Sequence, residues 1–290
     1  RGITLSEVDL ADGSSPTGNP VTMTQVITYT EGSDDVSHFR IDPAQFNTSG
    51  ALKSNGLEVE IKEQPANSGN YIGFVKDGSN VETNVFTISF STSNLGQYTF
   101  TLLEALDHVD GLQNNILSFD VPVLAVDADG DDSAMSPMTV AITDDVQGVQ
   151  DGTLSITEPS LADLASGTPP TTAIIDVMPT QSADGAKVTQ FTYDGGTAVT
   201  LDPSIATEQV FTVTDGLLYI TIEGEVRFEP SRDLDHSSGD IVRTIVVTTS
   251  DFDNDTDTAD VTLTIKDGID PVIDVVPDVN LSEVNLADGS

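Results

Sequence analysis

Apolar residues in this chain recur at every second position, in short runs bounded by Gly, Asn and Asp. Phe86, Ile88 and Phe90 alternate with polar residues, and Tyr98, Phe100 and Leu102 do so again shortly afterwards. Further along, Leu218, Ile220 and Ile222 form one run, Ile245 and Val247 another, and Val261, Leu263 and Ile265 a third. A period of two, enriched in Thr, Val and Ile, predicts antiparallel strands with one buried face and one wetted face. Helical periodicity is absent, and residues 94–109 hold at most a turn. Many short strands with regular turns predict β-sandwiches. Pro16, Pro20, Pro159, Pro169 and Pro170 fall near the start of each half, where an edge strand tolerates proline.

The pattern repeats. Residues 3–14 read ITLSEVDLADGS and residues 279–290 read VNLSEVNLADGS, identical at nine of twelve positions. A weaker copy, SITEPSLAD, lies between them at residues 155–163. Glu7, Glu158 and Glu283 align in these copies, at a period too long for a solenoid, which points to tandem domains. Other landmarks keep the same order. Leu106-Asp107-His108 recurs as Leu234-Asp235-His236, followed by an acidic loop, residues 127–132 in one copy and 251–257 in the other. Each copy closes on an alternating strand and more acids: TVAITDD at 139–145 and VTLTIKDGID at 261–270. The expected division is a first sandwich at 1–148, a second at 149–276 and the start of a further repeat at 277–290. The chain opens at Arg1 and stops inside the repeated motif, as a fragment would.

Composition narrows the function. With 48 acidic and 10 basic residues, the net charge is −38. Binding phosphate needs clustered Lys and Arg, so nucleic acid and anionic membranes are excluded as direct partners. Cysteine is absent, which removes disulfides, zinc knuckles, iron–sulfur clusters and Cys nucleophiles. Bound metal is the natural substitute for disulfides in a secreted sandwich. No run of 18 apolar residues occurs, so no membrane-spanning helix is expected.

The order of a Glu near the first strand, an LD turn, an Asp-rich loop and an acidic linker resembles the cadherin repeat family. More specifically, SEVDLADGSSP, QYTFTLLEALDHVDG, AVDADGDDS and VAITDDV resemble the tandem cadherin-like repeats of type I secreted RTX adhesins of Gram-negative bacteria. The resemblance covers most of both halves and is weakest over residues 21–71. It implies an all-β fold of tandem Ig/cadherin-like antiparallel β-sandwiches in an elongated array, with calcium between domains. It also implies a secreted protein at the bacterial cell surface, acting in cell adhesion and biofilm formation. Neighbouring repeats of the same chain would be its partners, and a host or surface ligand would be met through other modules. Two departures stand out: LDH replaces LDRE, removing the family's Glu ligand from that turn, and the loop at 251–257 keeps its acids but lacks the usual Gly.

The residues support metal independently. Calcium takes six to eight oxygen ligands. Uncompensated Asp at alternate positions would otherwise repel by about 4 kcal/mol per pair at 4 Å and an effective dielectric of 20. The loops are not EF-hands, since the Gly and Glu of that motif are missing. In the seven-stranded sandwich that the resemblance implies, the turn before the sixth strand lies at the exit pole and the turn before the last strand at the entry pole, and Glu7 maps to the family's exit-pole Glu. The junction is then expected to gather Glu7, Asp107, Asp144, Asp145, Asp184, Asp251 and Asp253, with Asp255 in the same loop. Asp127, Asp129 and Asp131 would face a preceding domain. Glu158, Asp235, Asp267 and Asp270 would face the following one.

Catalytic signals are weak. His108 and His236 read as turn residues, and Ser and carboxylates are too common to nominate a nucleophile or an acid pair. Gly195-Gly196 reads as a hairpin turn rather than a phosphate loop. No enzyme is expected. The sequence reads as a non-enzymatic, calcium-stiffened extender of a large adhesin. The alternative is a ligand-binding sandwich, lectin-like or protein-binding, for which the longer first half offers an inserted region at 42–81. An extender would lack a large apolar pocket with convergent polar groups.

Overall fold

The computed structural model describes residues 2–111, 113–269 and 272–273. The second strand motif at 279–290, the repeat start at 277–290, and Asp270 lie outside the described residues. Among the described residues the chain is all-β apart from single helical turns.

The N-terminal half contains β1 (Ile3–Ser6), β2 (Val21–Val26), β3 (Val36–Ile41), β4 (Lys53–Ser54), β5 (Leu57–Glu58), β6 (Glu60–Glu63), β7 (Asn70–Lys76), β8 (Glu82–Phe90), β9 (Gln97–Leu102), β10 (Ile116–Asp127) and β11 (Ser136–Thr143). One sheet has the order β1-β11-β10-β3 and the other β2-β9-β8-β7-β6, with β4-β5 as a small separate hairpin. The alternating runs predicted from the sequence pair with each other: Phe86 faces Leu102, Ile88 faces Phe100 and Phe90 faces Tyr98. Their apolar sides point between the sheets. Phe86 and Phe100 stack at 5.0 Å and meet Phe46 and Phe119 in one aromatic core. That core needs a hole in the neighbouring strand. Gly73 lies opposite Phe86, and a Cβ there would stand 2.3 Å from the ring.

The C-terminal half contains β12 (Gly152–Thr157), α1 (Leu161–Ala165), β13 (Ile175–Asp176), β14 (Lys187–Tyr193), β15 (Val199–Thr200), β16 (Gln209–Val213), β17 (Gly216–Ile220), β18 (Glu225–Pro230), β19 (Ile241–Ser250) and β20 (Thr256–Lys266). Its sheets are β12-β20-β19-β14-β15 and β13-β18-β17-β16. Leu218, Ile220, Ile245, Val247, Val261, Leu263 and Ile265 are completely buried between them, as their period of two predicts. On one sheet Arg243, donating through Nε at 2.7 Å, and the Tyr193 hydroxyl, at 2.7 Å, both satisfy Asp215.

Both halves are antiparallel except at one place. The first strand of each runs parallel to the last: Ile3–Ser6 beside Val140–Thr143, and Gly152–Thr157 beside Val261–Lys266. Each first strand thereby caps the edge left by the last. It also carries Glu7 and Glu158 to the pole where the last strand ends.

Candidate metal centre

Glu7 follows β1 directly and opens a single 3-10 turn, Glu7–Asp9. The turn folds back tightly because Gly13 lies over it; a Cβ at Gly13 would meet the Glu7 carbonyl oxygen at 2.5 Å. This turns the Glu7 side chain inward, where it is 1% exposed and accepts a hydrogen bond at 2.8 Å from the Leu106 amide. His108, from the turn before β10, approaches to 3.5 Å, and Asp144 arrives from the end of β11. Donor atoms of Glu7, His108 and Asp144 all lie within 4.8 Å of one another.

The C-terminal half brings more acids to the same place. Asp251, Asp253 and Asp255 come from the β19–β20 loop, and Asp184 from the tight turn that Gly185 closes onto the Ser182 carbonyl. Asp144 groups with Asp253 and Asp255, and Asp184 with Asp251 and Asp253, each set again within 4.8 Å. Asp144, Asp253 and Asp255 are almost wholly buried. Oxygens of Asp144, Asp184, Asp251, Asp253 and Asp255 are buried without a hydrogen-bond partner. Such groups cost several kcal/mol each when charged and unpaired. The protonation follows: burial, then Asp253 and Glu7, push Asp144 up to about 8. Burial, then Asp253 and Asp184, push Asp251 up to about 9. Burial likewise raises Glu7 and Asp184. Burial works to lower His108, but Glu7 outweighs it and raises the ring to about 9.

Backbone and side-chain bonds tie the two halves here. The Asp145 carboxylate accepts from the Ser14 amide at 2.7 Å, from the Ser14 hydroxyl, and from the Ala183 amide at 3.0 Å. Gln147 donates to the Thr249 hydroxyl at 2.9 Å, and the Gly111 amide donates to the Asp253 carbonyl at 3.2 Å. The linker itself is pinned by Gly148 N–H to the Thr180 carbonyl and Gln150 N–H to the Val177 carbonyl, both 2.9 Å.

The second acidic loop keeps a positive φ at the position where it lacks the Gly. Gly130 has φ 96° and Asn254, its counterpart, φ 66°. Asn is one of the few side chains that tolerate this region. In both loops the first Asp accepts from the amide of the third: Asp131 to Asp127 at 2.8 Å, Asp255 to Asp251 at 2.7 Å.

The other candidates join no acidic set at the junction. Asp107 is raised by burial and then by the nearby Asp253 charge, but it turns to the β4–β5 hairpin, where it accepts from the Gly56 amide at 2.9 Å, and it joins no ligand group among the described residues. Asp235 is exposed and accepts from the Ser237 amide. Glu158, His236 and Asp267 form a set at the far pole of the C-terminal half. At the entry pole of the N-terminal half, Asp127 and Asp129 group with Asp34. Asp34 escapes sequence reading because it lies where the repeat pattern is weakest. A cleft of about 670 Å³ opens beside it, lined by Tyr29, Phe39, Tyr98, Asp34, Asp127 and Asp131 among others. No helix among the described residues is long and apolar enough to cross a membrane.

No protein-family profile matches this chain, and no curated protein sequence matches it. Solved structures do. Repeats EC1–3 of Drosophila N-cadherin are 13% identical with a TM-score of 0.27, over 92% of this chain and 65% of that one. The cadherin-like domains 1 to 4 of zebrafish RET are 9% identical with a TM-score of 0.33, over 91% and 49%. A mutant of the E. coli CFA/I adhesin CfaE is 9% identical with a TM-score of 0.29, over 94% and 98%. The chain spans less than two thirds of the cadherin chains it matches. With every one of these TM-scores below 0.5, the functional reading rests on the chain's own residues.

Proposed function

We propose that this chain is a non-enzymatic, calcium-stiffened spacer of a bacterial surface adhesin, built from units at 1–148 and 149–276 with a further repeat beginning at 277. One observation carries the reading: buried carboxylate oxygens without partners, contributed by both halves, converge where the halves meet. The donors are oxygens from several acids, which suits a hard cation of high coordination number. Oxygens on opposite sides of calcium at roughly 2.3–2.6 Å stand about 4.6–5.2 Å apart, so donors that all lie within 4.8 Å of one another are close enough to share one ion. Asp144, Asp184, Asp251, Asp253 and Asp255 would hold the ion, and Glu7 would adjoin it through Asp144. Calcium, when bound, supplies the positive charge that the junction lacks. The chain's own part is to deliver those acids on short turns and to hold the linker by the Asp145 and Gln147 bonds. Two carboxylates facing across a junction repel without the cation and are drawn together with it, so the angle between units becomes fixed. Calcium titration by calorimetry, with scattering profiles in calcium and in EDTA, tests this. Heat of binding with an extended, narrowed profile in calcium supports the spacer; identical profiles and no heat sink it.

A second reading, ligand binding by the first unit, is favoured by the cleft that joins Tyr29, Phe39 and Tyr98 to Asp34 and Asp131. Screening glycans and peptides against the chain and its Tyr29→Ala variant separates it from the spacer. A ligand retained by the chain and lost by the variant would establish it.

A further inference from the structure

The two LDH turns put a histidine at the same point in each half, and the oxygen cluster does not account for either. The side chain of His108 is fully buried, and that of His236 is 4% exposed. In both rings Nδ1 faces an acceptor. For His108 it is Asn115 Oδ1 at 3.0 Å, oriented by the Asn115 amide donating to the Val109 carbonyl at 3.2 Å. For His236 it is the Gly239 carbonyl at 3.3 Å. Those oxygens only accept, so the hydrogen is assigned to Nδ1 in both rings. Nε2 is then the position a metal would take, displacing the proton that Glu7 favours on His108 in the metal-free chain, and in both rings it is buried with no hydrogen-bond partner.

Each Nε2 is aimed at the aligned glutamate. His108 stands 3.5 Å from Glu7 Oε1, and His236 stands 3.3 Å from Glu158 Oε2. A charge-assisted N–H···O bond closes to about 2.7–2.9 Å. These wider gaps match the edge of a tetrahedron instead: two ligands at 2.0–2.1 Å from one zinc ion stand about 3.3–3.4 Å apart. Both glutamates are held in place by a backbone amide, Leu106 at 2.8 Å and Leu234 at 3.0 Å. An aspartate completes each set, Asp144 in one and Asp267 in the other.

We propose that each LDH turn builds a Glu–His–Asp site for a divalent ion of the zinc class: Glu7, His108 and Asp144 in the first half, Glu158, His236 and Asp267 in the second. The nitrogen donor distinguishes these sites from the oxygen cluster, because calcium takes oxygen ligands whereas imidazole suits zinc and its neighbours. A carbonyl oxygen on Nδ1–H is the outer bond that metal-ligating histidines usually make. Asp144 belongs to both kinds of set, so the first site adjoins the calcium cluster. The second stands apart from it and gives the cleaner test.

The full chain, stripped with chelator and returned to excess calcium, is titrated with zinc by calorimetry and with cobalt(II) by visible absorption. Two ions per chain are expected, with the intense absorption of tetrahedral cobalt, undiminished by more calcium. His236→Gln loses one ion and leaves the circular dichroism unchanged. His108→Gln loses the other, and the double variant takes up none. No zinc uptake in calcium overturns the proposal and leaves His108–Glu7 and His236–Glu158 as ion pairs only. Equal uptake by the double variant, or weak cobalt absorption displaced by calcium, overturns it as well. The calcium reading stands or falls separately, on the response to calcium alone.

Discussion

Asp145 of the first half and Ala183 of the second are joined by a hydrogen bond of 3.0 Å, donated by the Ala183 amide. The same carboxylate holds the Ser14 amide and hydroxyl, so its oxygens are already engaged. Asp145 therefore acts as a tie across the junction, and its loss should weaken the junction whether or not calcium is present. Asp145→Ala should cost about 1.5–3 kcal/mol, the range of a hydrogen bond to a charged group. Limited proteolysis of residues 144–151 in calcium and in EDTA checks this. Protection lost in calcium alone, with no change in EDTA, would show that Asp145 acts only through the metal.

Asp253 should behave differently. Both its side-chain oxygens are buried and unpaired, and it is a member of two acidic groups. Asp253→Asn removes one charge from the cluster. The metal-free chain should melt a few degrees higher, since about 1 kcal/mol moves the midpoint by roughly 2–4 °C in a domain of 150–250 residues. The calcium increment should shrink by up to about 2.7 kcal/mol, the stabilisation of one site at 100 times Kd. Melting with and without calcium reads both signs; a lower metal-free midpoint with an intact calcium increment contradicts the assignment.

The pH dependence of the metal-free chain should run opposite to ordinary acid denaturation. Asp144 is raised to about 8 and Asp251 to about 9, both far above the unfolded value near 3.9. A raised carboxyl binds protons in the folded state that the unfolded chain releases. Its contribution is complete below the unfolded value and is lost as pH climbs through about 8 and 9. His108, at about 9 against an unfolded value near 6.5, has the same sign. Metal-free melting temperature should fall from pH 5 to pH 9, and the calcium increment should grow over the same range. A flat metal-free profile would remove the buried-carboxylate argument.

A fourth prediction concerns the core. Gly73→Ala drives a methyl group into the Phe86 ring. Overpacking of this kind costs about 1–3 kcal/mol. Denaturant unfolding should show that loss, and Phe86→Leu in the same chain should recover part of it. Additive losses would mean that the strand, not the ring, absorbs the strain.

Much of this architecture is legible in the residues. Period two follows from burying one face of a strand, and Phe86, Phe100, Leu218 and Val261 lie inside as it requires. Periodicity does not say which strand pairs with which, so the parallel partners of Ile3–Ser6 and Gly152–Thr157 emerge only in three dimensions. The acidic loops are visible as charge without counterions. Which oxygens are already spoken for is not: Asp107 and Asp235 each give one oxygen to a neighbouring amide, while Asp253 gives none. His108 reads as a turn residue, and nothing in the sequence says that its ring is buried beside Glu7. Asn254 is the readable exception, since Asn is a natural replacement for Gly at positive φ.

The parallel first strands bear on how such a chain carries load. Pulling Ile3 one way and the end of β11 the other slides two parallel strands past each other along their length. Their hydrogen bonds are loaded together and must rupture together, whereas an antiparallel hairpin pulled from its open end peels one bond at a time. The same holds for β12 against β20. Each sandwich is thus fastened in shear between the points where the chain enters and leaves. A fold built this way resists tension by the geometry of two short ladders, independently of the thermodynamic stability of its core.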